Sequence, residues 1–237
     1  GGALLVELLT GSPDALAAEC FMAFPLPGAV RADAWFDDTP PAHVRAAAGR
    51  DERSVRGLVE DVLSAISADS LMAHVERLSR YPGGALRTRY TRRDECLTEA
   101  EPYLVGQLGA VLPEGAPVDT QRFGILGYTC EEGPSGPQMV YPAHNLIGVL
   151  EGAADRGGCY IVSAHYDATA QRSFRDGYYW WCDSASPGAD DNATGAAVLI
   201  ETARALSGVQ LPFDVRFALM SGEELGLLGS SEYADSI

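Results

Sequence analysis

Basic residues are scarce in this chain. Its 237 residues include 17 Lys and Arg against 33 Asp and Glu, a formal net charge of −16. That balance repels phosphate backbones and anionic lipid, and it excludes nucleic acid as a partner. No apolar run reaches membrane-spanning length, so membrane insertion is not expected, and no stretch reads as a signal peptide. The five cysteines contain no Cys-x-x-Cys pair, which excludes the usual thiolate zinc site. Their odd number leaves at least one thiol without a partner in the chain. What remains is the composition of a globular protein, 46% hydrophobic and 21% charged, long enough for one large domain or a domain with an appendage.

Residues 1–54 carry no recognisable chemistry and read as an N-terminal appendage of unknown role; residues 55–237 read as the main domain. From Asp51 the pattern is helical. Val55, Leu58, Val59, Val62, Leu63 and Ile66 recur at spacings of three and four, a second helix begins at Asp69-Ser70, and a third spans about Cys96 to Val111. Arg87, Arg89, Arg92 and Arg93 lie between them as a basic turn, read as a solvated loop. His74 reads as structural or exposed. Val118 to Tyr128 and Met139 to Leu150 are expected to be strands, with His144 at a core edge or the surface. Cys159 to Ala164 is short, apolar and β-branched, as a strand buried on both faces would be. Ala193 to Leu206 reads as a helix and Phe213 to Met220 as another buried strand. Strand, helix and strand in succession predict a βαβ unit in a mainly parallel sheet.

Three short motifs fall at the ends of these elements, where α/β sheets place ligands. The first is Ala164-His165-Tyr166-Asp167, in which Asp167 can orient the His165 imidazole. The second is Pro187-Gly-Ala-Asp190-Asp191-Asn192-Ala-Thr-Gly195, whose run of polar acceptors exceeds what helix capping needs. The third is Ser221-Gly222-Glu223-Glu224-Leu225-Gly226, read as two glutamates opening a helix after the last strand. Imidazole together with carboxylates suits zinc or a similar divalent ion.

Taken together, these three motifs resemble the co-catalytic di-zinc exopeptidases that include the bacterial leucyl aminopeptidases, whose relatives include glutamate carboxypeptidase and glutaminyl cyclase. The resemblance covers roughly residues 55–237. It implies an α/β three-layer sandwich with a mainly parallel central sheet flanked by helices. It implies a metal-dependent aminopeptidase that hydrolyses N-terminal residues from peptides with a zinc-activated water, in a secreted or periplasmic setting. The alternatives are another exopeptidase or a glutaminyl-cyclase-like enzyme on the same fold, or a binding domain that lost its metals. Carried over, His165, Asp191 and Glu224 resemble metal ligands, with Asp191 bridging two zincs. Glu223 resembles the general base, and Asp167 the partner that orients His165. Two zincs about 3.5–4 Å apart would polarise a carbonyl and acidify a water, whose proton a free carboxylate can take.

The family pattern also calls for an aspartate and a histidine beyond the Glu-Glu pair. The chain ends at Ile237, so a C-terminal continuation of the polypeptide, or self-association through an unpaired sheet edge, is expected. Asn192-Ala193-Thr194 is a formal glycosylation sequon set inside the metal-type loop, and is expected to be unused. The insert from Ala168 to Ser186 carries Phe174, Tyr178, Tyr179, Trp180 and Trp181, which can wall a substrate pocket or pack on one another. Cys182 in that insert can pair with Cys159 in an oxidising compartment.

Overall fold

The computed structural model describes residues 52–80, 88–91, 94–128, 135–153, 159–170 and 185–237. The N-terminal appendage up to residue 51, Arg87, Arg92, Arg93, the aromatic part of the insert and Cys182 lie outside the described residues. Cys159 is a free thiol.

Among the described residues three helices come first: α1 (Glu52–Ala65), α2 (Ala68–Ser79) and α3 (Asp94–Val111). Ile66 and Ser67 separate the first two, and Ser67 caps the second. Its backbone is extended and its hydroxyl accepts the Ser70 N–H at 3.2 Å, giving α2 a defined start that Asp69 in the first turn reinforces. Strands β1 (Val118–Tyr128) and β2 (Gln138–Leu150) follow, then β3 (Cys159–His165), α4 (Thr194–Leu206), β4 (Asp214–Met220) and α5 (Leu228–Asp235).

The four strands form one sheet in the order β1-β2-β4-β3. The βαβ expectation holds for β3-α4-β4, whose strands are parallel neighbours, with Val162 opposite Phe217 and His165 opposite Met220. The expectation of a mainly parallel sheet does not hold among the described residues. β1 runs antiparallel to β2, and β2 antiparallel to β4, so the sheet is mixed. For β1 and β2 the reason lies in the connection. A short link between β1 and β2 permits only a hairpin, whereas parallel neighbours need a crossover such as α4.

Alternation along the strands builds three layers. Leu146 and Leu150 of β2 and Val215, Phe217 and Leu219 of β4 face one way, against Leu104, Leu108 and Leu112 from α3 and its C-terminal end, and Leu199, Ile200 and Ala203 of α4. Ile147, Ala218 and Met220 face the other way, against Tyr233 of α5. Gly148 permits the close approach of α3 to the sheet, since a Cβ there would stand 2.6 Å from Leu112 Cδ1. His74 is structural, as expected: it is buried in α2 with Nδ1 2.6 Å from the Tyr103 hydroxyl.

Three further expectations are corrected. β3 is not buried on both faces: it stands at the edge of the described sheet, paired only with β4 there, and its residues are half-buried or exposed. Arg89 is not part of a solvated turn; it is fully buried. Glu223 and Glu224 do not open a helix. Gly226 (φ 104°) and Leu227 (φ 63°) turn the chain left-handed directly after them, and α5 starts only at Leu228. The Glu223 carbonyl accepts the Gly226 N–H (2.8 Å) and the Leu227 N–H (2.9 Å), closing a tight turn that a right-handed helix cannot continue.

Candidate metal centre

The site lies at the carboxyl ends of β3 and β4. His165 is the last residue of β3, and Ser221 follows the last residue of β4, so parallel pairing brings the first and third motifs side by side. The second motif enters from the side, as a single π-type turn over Ala189–Ala193 ahead of α4, in which Asp191 and Asn192 leave helical dihedrals. The Asp191–Asn192 peptide is cis. Asn192 is buried, and its Oδ1 accepts the Gly195 N–H at 2.8 Å; a Cβ at residue 195 would collide with that side chain.

Asp167 organises the centre. It is fully buried. Its Oδ1 accepts the Glu223 N–H and its Oδ2 the Glu224 N–H, both at 3.2 Å, and Oδ2 also accepts the Thr91 hydroxyl at 3.2 Å. On its other side it meets His165, whose Nδ1 lies 3.2 Å from the Asp167 carbonyl oxygen and 3.4 Å from Oδ1. With two oxygens facing it, Nδ1 is placed to donate, the arrangement in which a metal-bound histidine offers Nε2 as its donor atom.

Beyond Nε2 stand the carboxylates. Asp191 Oδ1 is 3.1 Å away and Glu223 Oε2 3.8 Å away. The Asp191 side chain is 77% exposed, so an ion or substrate can reach it from solvent. Glu224 Oε1 accepts the Thr169 N–H at 3.2 Å. Crowding like charges into a partly desolvated space shows in their acidities. Burial, then Asp191, Asp167 and Glu223, push the Glu224 carboxyl up to about 7, against a smaller downward pull from His165. Glu223 is raised as well, first by burial, with Asp167 and Asp191 adding to it and His165 opposing. Burial pulls His165 down, but its bond to Asp167 and the charges of Asp167, Glu223 and Asp191 outweigh that, and its pKa is raised.

The structure therefore brings together all five residues singled out in the sequence. Among the described residues no group of three or more His, Cys, Asp or Glu side chains is arranged as a finished metal cage. One pair is in place. Two ligands of a tetrahedral zinc at about 2.0–2.1 Å stand about 3.3 Å apart, and His165 Nε2 and Asp191 Oδ1 stand 3.1 Å apart. Glu224 has one oxygen on Thr169 and a second to offer. Donor types, the orientation of the His165 ring and the surplus of negative charge all fit a divalent cation.

The sequence reading missed several residues that hold this centre. Asn145 of β2 accepts the Ser221 N–H (3.1 Å) and donates to the Gly229 carbonyl (2.8 Å), pinning the Glu-Glu turn at both ends. The Tyr166 hydroxyl, with its single proton, lies 2.8 Å from both Glu101 Oε1 and the His144 carbonyl oxygen, while His144 Nδ1 lies 2.9 Å from Glu101 Oε2. The adjacency of His144-Asn145 was the available signal, and it points to packing of the strand as readily as to the site.

The chain is similar in sequence and in fold to several known proteins. The chain is similar to aminopeptidase YwaD of Bacillus subtilis (strain 168), 41% identical over 76 residues that cover 32% of this chain and 14% of that protein. It is similar to the alkaline phosphatase isozyme conversion protein of Escherichia coli (strain K12), 32% identical over 120 residues, 46% of this chain and 35% of that one. The matches thus span well under half the length of these curated relatives. Among solved structures the fold is similar to that of an aminopeptidase from Aneurinibacillus sp. strain AM-1, with a TM-score of 0.57 at 16% identity, covering 75% of this chain and 68% of that chain. It is similar also to BSAP, a zinc aminopeptidase from Bacillus subtilis, with a TM-score of 0.55 at 18% identity, covering 73% of this chain and 65% of that one. At such identities these two show the α/β fold. Residues 145–236, which include His165, Asp167, Asp191, Glu223 and Glu224, match the sequence model of peptidase family M28.

Proposed function

We propose that this chain supplies the metal-binding part of a zinc aminopeptidase that releases N-terminal residues from peptides. The observation that carries the reading is the convergence of His165 Nε2, Asp191 Oδ1 and Glu223 Oε2 at the ends of β3 and β4. The names of the similar aminopeptidases support the substrate class, and the imidazole-carboxylate donor set supports zinc.

In this reading His165, Asp191 and Glu224 hold metal, with Asp191 placed to touch two ions. Bound zinc would polarise a carbonyl and acidify a water. Asp167 keeps the His165 proton on Nδ1, so that Nε2 is available as a donor atom. It also fixes the backbone from which Glu223 and Glu224 project. Glu223 is the base. Burial and two neighbouring carboxylates raise its basicity, which favours taking a proton from water and passing it to a departing amine.

Hydrolysis of aminoacyl anilides by the full-length protein tests this, with and without a chelator. Turnover that disappears on chelation and returns with added zinc is expected. Turnover indifferent to the chelator overturns the metal reading, and cleavage of internal peptide bonds with free N-termini left intact overturns the aminopeptidase reading.

A further inference from the structure

We propose that the short segment Thr88–Thr91 is the positioning element of the metal centre, acting through the Arg89 guanidinium and the Thr91 hydroxyl. This rests on the metal-centre reading above and extends it to residues that touch neither metal nor substrate.

All four residues of the segment are buried, Thr88, Arg89 and Thr91 completely. The segment lies against the end of β3, where the Arg89 carbonyl accepts the Ala168 N–H at 3.2 Å. From there the guanidinium reaches three separate pieces of chain. Nε donates to the Tyr166 carbonyl at 2.7 Å, between His165 and Asp167. Nη1 donates to the Leu78 carbonyl at 2.6 Å, at the end of α2, and to the Pro187 carbonyl at 2.8 Å. Nη2 donates to the Gly188 carbonyl at 2.8 Å. Pro187 and Gly188 lead directly into the turn that carries Asp191. One rigid planar group therefore spans the backbone behind His165 and the backbone ahead of Asp191. The approach is close: Gly188 has φ 49°, and a Cβ there would stand 2.8 Å from Nη2.

Thr91 completes the arrangement on the third motif. Its hydroxyl donates to Asp167 Oδ2, the oxygen that also accepts the Glu224 N–H, and lies 3.4 Å from the Ser221 hydroxyl. Arg89 thus sets the spacing of His165 and Asp191, while Thr91 sets that of Asp167 and the Glu-Glu turn. A guanidinium is suited to the first task because its five N–H donors sit in one fixed plane. A lysine in its place keeps the charge but cannot hold four carbonyl groups in a set geometry.

The test uses full-length protein and the substitutions Arg89→Lys, Thr91→Val and Thr91→Ser, with two readouts. The first is amide hydrogen exchange in metal-free protein. Thr91→Val is expected to speed exchange at the Glu223 and Glu224 amides about tenfold, Arg89→Lys to do so at residues 189–193, and Thr91→Ser to restore the wild-type rate. The second is zinc affinity by chelator competition, expected to fall about ten- to a hundredfold for Arg89→Lys and Thr91→Val, with KM little changed once zinc saturates. A purely structural role would lower the melting temperature while leaving local exchange and zinc affinity of the folded protein as they were, and that result overturns the proposal. Should Arg89→Lys fail to fold, the Val and Ser pair at Thr91 decides alone. Should wild-type protein bind no zinc, the metal-centre reading fails, and the exchange data still decide whether the segment positions the two loops.

Discussion

Asp191 Oδ1 lies 3.1 Å from His165 Nε2, across the loop that joins β3 to α4. Neither residue owes its place to the other. His165 is set by the parallel pairing of β3 with β4, which puts it opposite Met220. Asp191 is set by a turn whose preceding carbonyls are held by Arg89 and whose following residue, Asn192, is fastened to Gly195. Two independently fixed elements meet at a distance that suits a shared cation, and the predictions below follow from that meeting.

Removing the base should separate chemistry from binding. Glu223→Gln keeps size and shape but cannot take a proton. The full-length variant is expected to keep its zinc and lose turnover by about two to four orders of magnitude. Near-normal hydrolysis of an aminoacyl anilide would remove Glu223 from the mechanism.

Removing donors should do the opposite. His165→Ala and Asp191→Asn are expected to lower zinc stoichiometry, Asp191→Asn the more severely if that carboxylate touches two ions. Elemental analysis reads this directly, and unchanged zinc in both variants would defeat the assignment.

Asp167 predicts a combined effect. Its carboxylate accepts from two backbone amides and a hydroxyl while fully buried. Asp167→Asn turns one accepting oxygen into a donor facing N–H groups, which costs about 1–3 kcal/mol for each buried group left unsatisfied. The expected result is a melting temperature several degrees lower and zinc affinity down by about ten- to a hundredfold. A variant as stable and as zinc-tight as wild type would contradict the central place given to this residue.

Acid stability offers a test away from the site. Glu201 is buried in α4, where Arg204 foremost, with the Ser67 N–H and the Ser70 hydroxyl, holds its carboxyl down at about 2 against burial, from an ordinary 4.5. A depressed carboxyl adds stability above its unfolded value and loses it as the pH falls toward the folded one. The loss should therefore fall between about pH 4.5 and 2. Allowing for the partly exposed Arg204, the contribution is on the order of 1–3 kcal/mol at neutral pH. Glu201→Gln should melt lower at pH 7 and approach wild type near pH 2; a gap that stays constant across that range would show that the charge contributes nothing.

Much of this was legible from local pattern. Phe213–Met220 read as a buried strand because its apolar residues are contiguous, and it is one; Cys159–Ala164 read the same way, but β3 stands at the edge of the described sheet and is only partly buried. The helices followed from three- and four-residue spacing. The three motifs were legible because each falls where a strand or helix ends. What was not legible depends on partners distant in sequence. Arg89 looks like any arginine in a basic turn until the carbonyls of Leu78, Tyr166, Pro187 and Gly188 surround it. Glu223 and Glu224 carry the composition of a helix's first turn, but left-handed dihedrals at Gly226 and Leu227 end the turn first. The antiparallel course of β2 beside β4 is a choice of pairing that the strand's own composition does not encode.

The most direct test of the central claim is the position of zinc itself. Anomalous diffraction at the zinc edge, from crystals of the full-length protein grown with zinc, would locate it without reference to activity. The account predicts a peak within about 2.0–2.2 Å of both His165 Nε2 and an Asp191 oxygen, with Glu223 left free beside it. Zinc bound elsewhere, or a site in which Glu223 is a ligand while Asp191 stays in solvent, would contradict it.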